Sequence, residues 1–368
     1  MSRVLGMTMT LPNLNIGNPF VSLEHINLNI GGDWKLSRKF YVDGLGFATD
    51  PRAASVFART AAAGGEGLGL QWVNIGLQQL HLPEDYPRQA IDGTIGLTFP
   101  SLSDVNERLT TIGIPFEMKK EGKFSYILTR CPSGNKFEIR SPVVGSYLGP
   151  AEFIEPRSRN TGHETFLEPR EKLSGSRQRD VDVYLPGEIS LGLGLQFINF
   201  EIPFGTALTI GKYYEHFFGA IVLVATKSSN DLLAAPTEAS SEISFQTISP
   251  SDTVESILAC RVIIGYHQYI QFTEKSQSSE GSVSNAYLEE VSNSEVSSEG
   301  HHIALYASDF VAMYERARTR SLIWDNPRFP QFSYDTLQDS LKHNEFRVKD
   351  IINPSTGEKV FQLEHEIR

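Results

Sequence analysis

The sequence predicts an α+β protein: tandem paired βαβββ modules forming two curved, mostly antiparallel eight-stranded sheets. Three observations lead there: an internal repeat, strand patterns of period two, and turn residues set between them. The segment LEHINLNI at Leu23–Ile30 recurs as LQFINFEI at Leu195–Ile202, an offset of 172 residues. The aromatic segment KFYVDGLGF, starting at Lys39, recurs as KYYEHFFGA from Lys212, an offset of 173. Self-similarity at one spacing over two adjacent segments marks a duplicated half.

Each half reads as two units. In the first unit, strand Leu23–Ile30 leads into a helix over about 33–45, and the closing strands include LGLQWVNI (Leu68–Ile75) and LQQLHLP (Leu77–Pro83). The second unit runs from TIGLTF (Thr94–Phe99) through a helix at Ser103–Ile112 to FEMKK, FSYILTR and NKFEIRSP. Ser103 is the expected N-cap and Gly113 the C-cap, with Pro115 just beyond. The second half ends likewise, with HHIALYA (His301–Ala307), a helix over Ser308–Arg320, then EFRVKDI and KVFQLEHEIR. The turns CPSGNK and NPSTGEK precede the two closing strands, where Pro, Gly and Asn suit a hairpin. The expected domains are 20–142 and 191–368, joined by a charged, Pro- and Gly-rich linker at 143–190. Ser/Glu-rich inserts near 225–250 and 274–299 are too polar to pack and should stand apart from the sheets. Each half is expected to build one sheet from its own two units.

Composition sets limits on function. A formal net charge of −11 argues against a nucleic-acid partner. Cys131 and Cys260 are the two cysteines, neither in a metal-binding or redox spacing. No apolar run approaches the roughly 20 residues of a membrane helix. The opening MSRVLGMTMTLPNLN lacks the apolar centre of a secretory signal, so a cytoplasmic protein with no membrane partner is expected. There is no phosphate loop, GxSxG elbow, HExxH or dinucleotide fingerprint, which disfavours nucleotide, serine-hydrolase and hydride chemistry.

Strand side chains alternate faces, so chemistry can be read off the polar set. His25, Asn27 and Asn29 oppose Ile26, Leu28 and Ile30. Gln79 and His81 alternate with Leu80 and Leu82. Glu138 and Arg140 alternate with Phe137 and Ile139. Trp72 and the pairs Phe40/Tyr41 and Tyr213/Tyr214 read as core, and His301 as structural. Glu364 and Glu366, in the terminal LEHEIR, sit where a solvated edge is the simple reading.

The order βαβββ–βαβββ, with EHINLNI, FYVDGLGF, WVNIGLQQLHLP, SGNKFEI, HHIALYA and FQLEHEI in sequence, resembles the vicinal-oxygen-chelate superfamily. That group includes glyoxalase, bleomycin-resistance and extradiol-dioxygenase types. The resemblance covers about Phe20–Pro142 and Gly192–Arg368. It implies that two units pair into a curved sheet whose first and last strands carry metal ligands on the concave face. Carried over by position, His25, Gln79 and Glu138 form the implied metal set, with His81 two residues beyond Gln79 on the same face. Glu138 is also the implied catalytic group, and Asn27, Thr94 and His81 line the substrate. Thr94 stands where metal-dependent families usually show His. In the second half, Phe197 stands at the His25 position and His302 at the Thr94 position, and Glu364 offers the closing carboxylate. Imidazole and carboxylate ligands with open positions suit Fe, Zn, Ni or Mn.

The expected function is that of a glyoxalase/dioxygenase-type metalloprotein. It would act on a small oxygenated organic substrate through bidentate chelation at a divalent metal. The alternative is a metal-free small-molecule binder of the bleomycin-resistance type, which Thr94 and Phe197 favour. A mixed case, one half catalytic and the other a structural duplicate, is the third reading.

Overall fold

A computed structural model describes residues 17–32, 34–50, 72–121, 124–142, 190–226, 245–249, 252–265, 268–275 and 296–368. The first unit comprises β1 (Phe20–Asn27), α1 (Trp34–Arg38), β2 (Ala48–Thr49), β3 (Trp72–Ile75) and β4 (Gln78–His81). A short strand, β5 (Arg88–Gln89), leads to the second unit: β6 (Gly93–Thr98), α2 (Leu102–Ile112), β7 (Phe116–Glu121), β8 (Phe124–Arg130) and β9 (Lys136–Arg140). The third unit has β10 (Gly194–Ile202), α3 (Ala207–Tyr213), β11 (Val222–Thr226), β12 (Phe245–Thr247), β13 (Ile257–Gly265) and β14 (Gln268–Glu274). After β15 (Val296–Ser297) the fourth unit has β16 (His302–Ala307), α4 (Phe310–Thr319), α5 (Leu337–His343), β17 (Phe346–Ile352) and β18 (Lys359–Ile367).

Local sequence explains the repeated elements. Both α1 and α3 run straight into a π-helical turn, at Lys39–Gly44 and Tyr214–Phe218. The wider turn falls in the same aromatic segment of each copy, so the repeat extends to backbone detail. The N-cap of helix α2 lies two residues earlier than the sequence suggests. Ser101, not Ser103, caps it, accepting from the Asp104 amide at 3.2 Å. Gly113 closes it in the left-handed region at φ 70°, as expected of a C-cap glycine.

Two principal sheets form, both mostly antiparallel. One has seven strands in the order β17-β18-β16-β1-β4-β3-β2; the other has nine, β12-β11-β13-β14-β10-β6-β9-β8-β7. The sheets are therefore not divided by half, and this corrects the expected pairing. The first unit joins the fourth through the antiparallel β1–β16 pair, and the second joins the third through β10–β6. The strand counts depart from eight for local reasons. The fourth unit has α5 among its closing elements, and the third gains β12 as an extra edge strand.

The sequence repeat is compatible with either pairing, because all four units present a similar first strand. Side-chain volume discriminates between them. Phe197 on β10 lies flat over Gly96 on β6, where an added Cβ would sit 2.1 Å from the ring. The matching position on β16 is Ala304, which faces His25. Pairing β10 with β16 would set Phe197 against that methyl group, which the same geometry cannot hold.

The apolar faces of the two sheets share one core. It contains Leu23 and Ile26 of β1, Ile95 and Leu97 of β6, Ile198 and Phe200 of β10, and Ile303 and Leu305 of β16. Helical segments join units of the same half across this core. Arg108 of α2 donates to the carbonyls of Asp43 (2.7 Å) and Gly44 (3.2 Å), and Arg316 of α4 donates to that of Phe217 (2.8 Å). Halves are thus tied by strands and units within a half by helices. The Tyr214 hydroxyl reaches His365 Nε2 on β18 at 2.6 Å, in the same fully buried layer.

Of the insert near 225–250, Phe245–Thr247 pair with β11 as an edge. Of the insert near 274–299, Val296–Ser297 pair in parallel with Arg88–Gln89. Residues 227–244, 250 and 276–295 of the inserts, and the 143–189 part of the linker, lie outside the described residues. No helix among the described residues is long and apolar enough to cross a membrane.

Two expected outcomes follow from this packing. Gly96→Ala must displace the Phe197 ring, so chemical denaturation should show a loss of about 1–3 kcal/mol, the usual cost of overpacking. A variant as stable as the parent would refute the steric account of strand pairing. Burial holds the His365 imidazole at about 4. Between that value and the ordinary 6.5, the unfolded chain binds a proton that the folded chain refuses. Stability should therefore fall on acidification through this window by about 1.4 kcal/mol per pH unit from this residue, and level off below it. His365→Gln should flatten the dependence of the denaturation midpoint on pH over the same window.

Candidate metal centre

The strand register of the seven-stranded sheet brings polar groups together in two adjacent transverse rows. One row runs Gln79, His25, Ala304, Glu366 and Arg347 across β4, β1, β16, β18 and β17. The next runs His81, Asn27, His302 and Glu364. These positions share the face opposite the apolar core, since partners in register point the same way. Every one of these polar residues is buried.

At the centre, His25 Nε2 and His302 Nε2 face each other at 3.2 Å. Glu366 Oε2 lies 3.6 Å from His302 Nε2. One ligand atom from each of His25, His302 and Glu366 falls within 4.8 Å of the other two. Donors bonded to a common ion at about 2.0–2.2 Å are separated by about 3–4 Å, the range of the His25–His302 and His302–Glu366 distances. The donor set also fits, because two imidazoles and one carboxylate leave coordination positions for substrate oxygens.

The surroundings fix these groups. Glu24 Oε2 lies 3.2 Å from His25 Nδ1, on the side of the ring away from His302. The His81 ring stacks on His25 with centroids 3.7 Å apart, and Trp72 stacks on His81 at 4.9 Å. Arg347 donates to Glu364 at 2.5 Å and also pairs with Glu366 and Glu345. Arg368 pairs with Glu366 and reaches Glu24 at 3.1 Å. Burial by itself would raise the Glu366 carboxyl. Arg347 and Arg368 outweigh it and hold the group well below the usual carboxylate range, so it is ionised. Burial, followed by Arg347 and His25, holds His302 well below its ordinary value. Burial, followed by His25, does the same for His81. Both rings are neutral near pH 7, the form that binds metal.

The nine-stranded sheet carries the twin of this arrangement. Its rows read Tyr269, Phe197, Gly96, Glu138 and then Gln271, Asn199, Thr94, Lys136. Phe197 and Tyr269 stack at 5.2 Å where the other sheet has His25 and Gln79. Thr94 replaces His302. Glu138, the counterpart of Glu366, is held by Arg140 at 2.5 Å. Among the described residues, no cluster of potential metal ligands occurs in this sheet.

The residues singled out from sequence are thus divided. His25, Asn27, Gln79, His81, His302 and Glu364 come together in the seven-stranded sheet, whereas Thr94 and Glu138 lie in the other. The expected grouping of Glu138 with His25 does not form, because the first unit pairs with the fourth rather than the second. Gln79 lies beside His25, and its amide nitrogen is bound by Asp50 and by Asn74 Oδ1 (2.6 Å). Its Oε1 is 3.2 Å from His81 Nε2. Glu364 is taken up by Arg347 and by Asn326 at 3.0 Å. The group missed is Glu366, read as a solvated edge but 2% exposed. A signal for it was present: Glu138-Ile139-Arg140 recurs as Glu366-Ile367-Arg368, which aligns the two closing strands two residues from the register assumed.

No family model and no curated protein matches the chain. Among solved structures, glyoxalase I from Zea mays matches at 10% identity over 94% of this chain and 91% of its own, with a TM-score of 0.46. A protein described as a dioxygenase from Bacillus subtilis subsp. subtilis str. 168 matches at 10% identity over 95% and 86%, with a TM-score of 0.44. A glyoxalase family protein from Bacillus anthracis matches at 16% identity over 34% of this chain and 98% of its own, with a TM-score of 0.28. In its repeated strand–helix–strand units, paired through their first strands into mixed sheets, the chain resembles the vicinal-oxygen-chelate superfamily.

Proposed function

We propose that the chain binds one divalent metal ion through His25, His302 and Glu366 and uses it to act on a small oxygenated substrate held by two oxygens. The observation that carries this reading is the convergence of two imidazole nitrogens and an ionised carboxylate oxygen within 4.8 Å of one another on a buried sheet face. An ion there would supply Lewis-acid polarisation of a carbonyl or enediol, or hold a catecholate. The protein's own part is to orient the ligands and shape the space around the substrate. Asn27, between His81 and His302 in register, has a buried Nδ2 with no partner among the described residues, so it is free to donate to a substrate oxygen. The Trp72, His81 and His25 rings stack in series, which fixes the His25 ring on its side toward β4.

A second reading has a specific observation behind it. The 3.2 Å separation of the two imidazoles is also a hydrogen-bond distance, and Arg347 and Arg368 already satisfy Glu366. The same residues could close as a metal-free polar network in a small-molecule binder of the bleomycin-resistance type.

Elemental analysis separates the two. Protein purified without chelators, or reconstituted with Fe, Zn, Ni or Mn, should hold about one equivalent per chain. His302→Ala and Glu366→Gln should lose it, whereas Glu138→Gln should retain it. A parent protein that takes up none of these ions would rule out the metalloenzyme and leave the binder.

A further inference from the structure

We propose that Glu24 is a positioning residue for His25, holding its imidazole in the Nδ1–H form so that Nε2 presents its lone pair to the ion, and that Arg368 holds Glu24 in place. This rests on the metal reading above and deepens it. Leu23 pairs with Leu305 and His25 with Ala304, so Glu24 is an extra residue in β1 relative to β16. Adjacent residues of a regular strand point to opposite faces. This bulge instead brings the Glu24 carboxylate round to its neighbour's ring, with Oε2 at 3.2 Å from Nδ1, an ion-pair contact in which Nδ1 lacks hydrogen-bond geometry. A neutral imidazole carries one proton. A carboxylate beside Nδ1 draws it there and leaves Nε2 unprotonated, facing His302. Arg368 continues the line of β18 beyond Glu366 and reaches Glu24 at 3.1 Å. One guanidinium therefore joins the carboxylate that orients the first unit's imidazole to the carboxylate supplied by the fourth unit.

The twin strand provides an internal control. β10 carries the same bulge, between Leu195 and Phe197, with Gln196 as the extra residue. Gln196 is 5% exposed, and its Oε1 accepts from the Thr98 hydroxyl at 3.3 Å. Arg140, the counterpart of Arg368, binds Glu138. The bulge, the arginine and the closing glutamate are thus present in both sheets. What changes together is the bulge residue and the ring beside it: a carboxylate with the imidazole, a neutral amide with the phenyl group. A carboxylate needed only for the bulge or for the arginine would have no reason to follow the imidazole.

The test uses the full chain and two readouts. In metal-free protein labelled with 15N at histidine, long-range proton–nitrogen correlation reads the His25 tautomer, with assignment by its loss in His25→Gln. Titration with Zn and with Ni reads affinity. The parent should show His25 protonated at Nδ1 only. Glu24→Gln should show mixed tautomers and a Kd for each ion weaker by about 10–100-fold, the usual effect of removing such a partner. Arg368→Lys, a milder disturbance of the same contact, should move both readouts in the same direction by less. A parent that binds metal while Glu24→Gln keeps its affinity would overturn the inference and leave the metal reading intact. A mixed or Nε2–H tautomer in the parent would also overturn it. A parent that binds neither ion, yet shows the Nδ1–H form only while Glu24 is present, would remove the metal reading and sustain the positioning role.

Discussion

The antiparallel pairing of β1 with β16 is the contact on which the candidate site depends. It sets His25 opposite Ala304 and one strand step from His302, and the parallel β16–β18 pair then brings in Glu366. Neither half of the chain holds all three groups. The site exists only where the first and fourth units meet, so its geometry is tied to long-range strand pairing rather than to any local motif. The helical contacts within each half, through Arg108 and Arg316, keep the two sheets in their relative place and so support that pairing indirectly.

Burying so much charge on one sheet face requires that each group find a partner. Arg347 is shared among Glu345, Glu364 and Glu366, and Glu345 also accepts from the Tyr334 hydroxyl. In a low-dielectric interior an unpaired ion costs several kcal/mol, so such a network is tolerated only when nearly complete. Arginines and carboxylates hold one another here, while the neighbouring His25 Nδ1, Asn27 Nδ2 and His302 Nδ1 have no hydrogen-bond partner among the described residues. The same network keeps Glu366 ionised while His81 and His302 remain neutral. These are the protonation states that a hard cation and an imidazole-bound metal require.

The two sheets show what a duplicated scaffold preserves and what it lets diverge. Bulge, π-helical turn and closing Glu-Ile-Arg occur in both. The candidate-site positions differ: His25, Gln79 and His302 in one sheet, Phe197, Tyr269 and Thr94 in the other. Phe197 fits only because Gly96 lies beneath it, so a phenyl ring at this position goes with a steric match that also distinguishes the second–third pairing from its alternative. A single ring therefore bears on both strand partnership and chemistry.

The sequence by itself determined the elements, their repeat and the faces of the strands, because these follow from neighbours a few residues apart. The period-two pattern put His25, Asn27, Gln79 and His81 on one face, and Gly113 and the aromatic segments marked where helices end and pack. The 172-residue offset predicted two matching halves with mixed, sheet-rich units. Tertiary structure alone decided which units share a sheet, since four similar first strands offer no local preference, and the choice rests on packing such as Phe197 against Gly96. That decision separated Glu138 from His25 and joined His25 to His302 and Glu366. It also turned Glu366 from the solvated edge residue suggested by its terminal position into a buried, ionised group, because burial and charge pairing depend on Arg347 and Arg368 arriving from the same folded sheet.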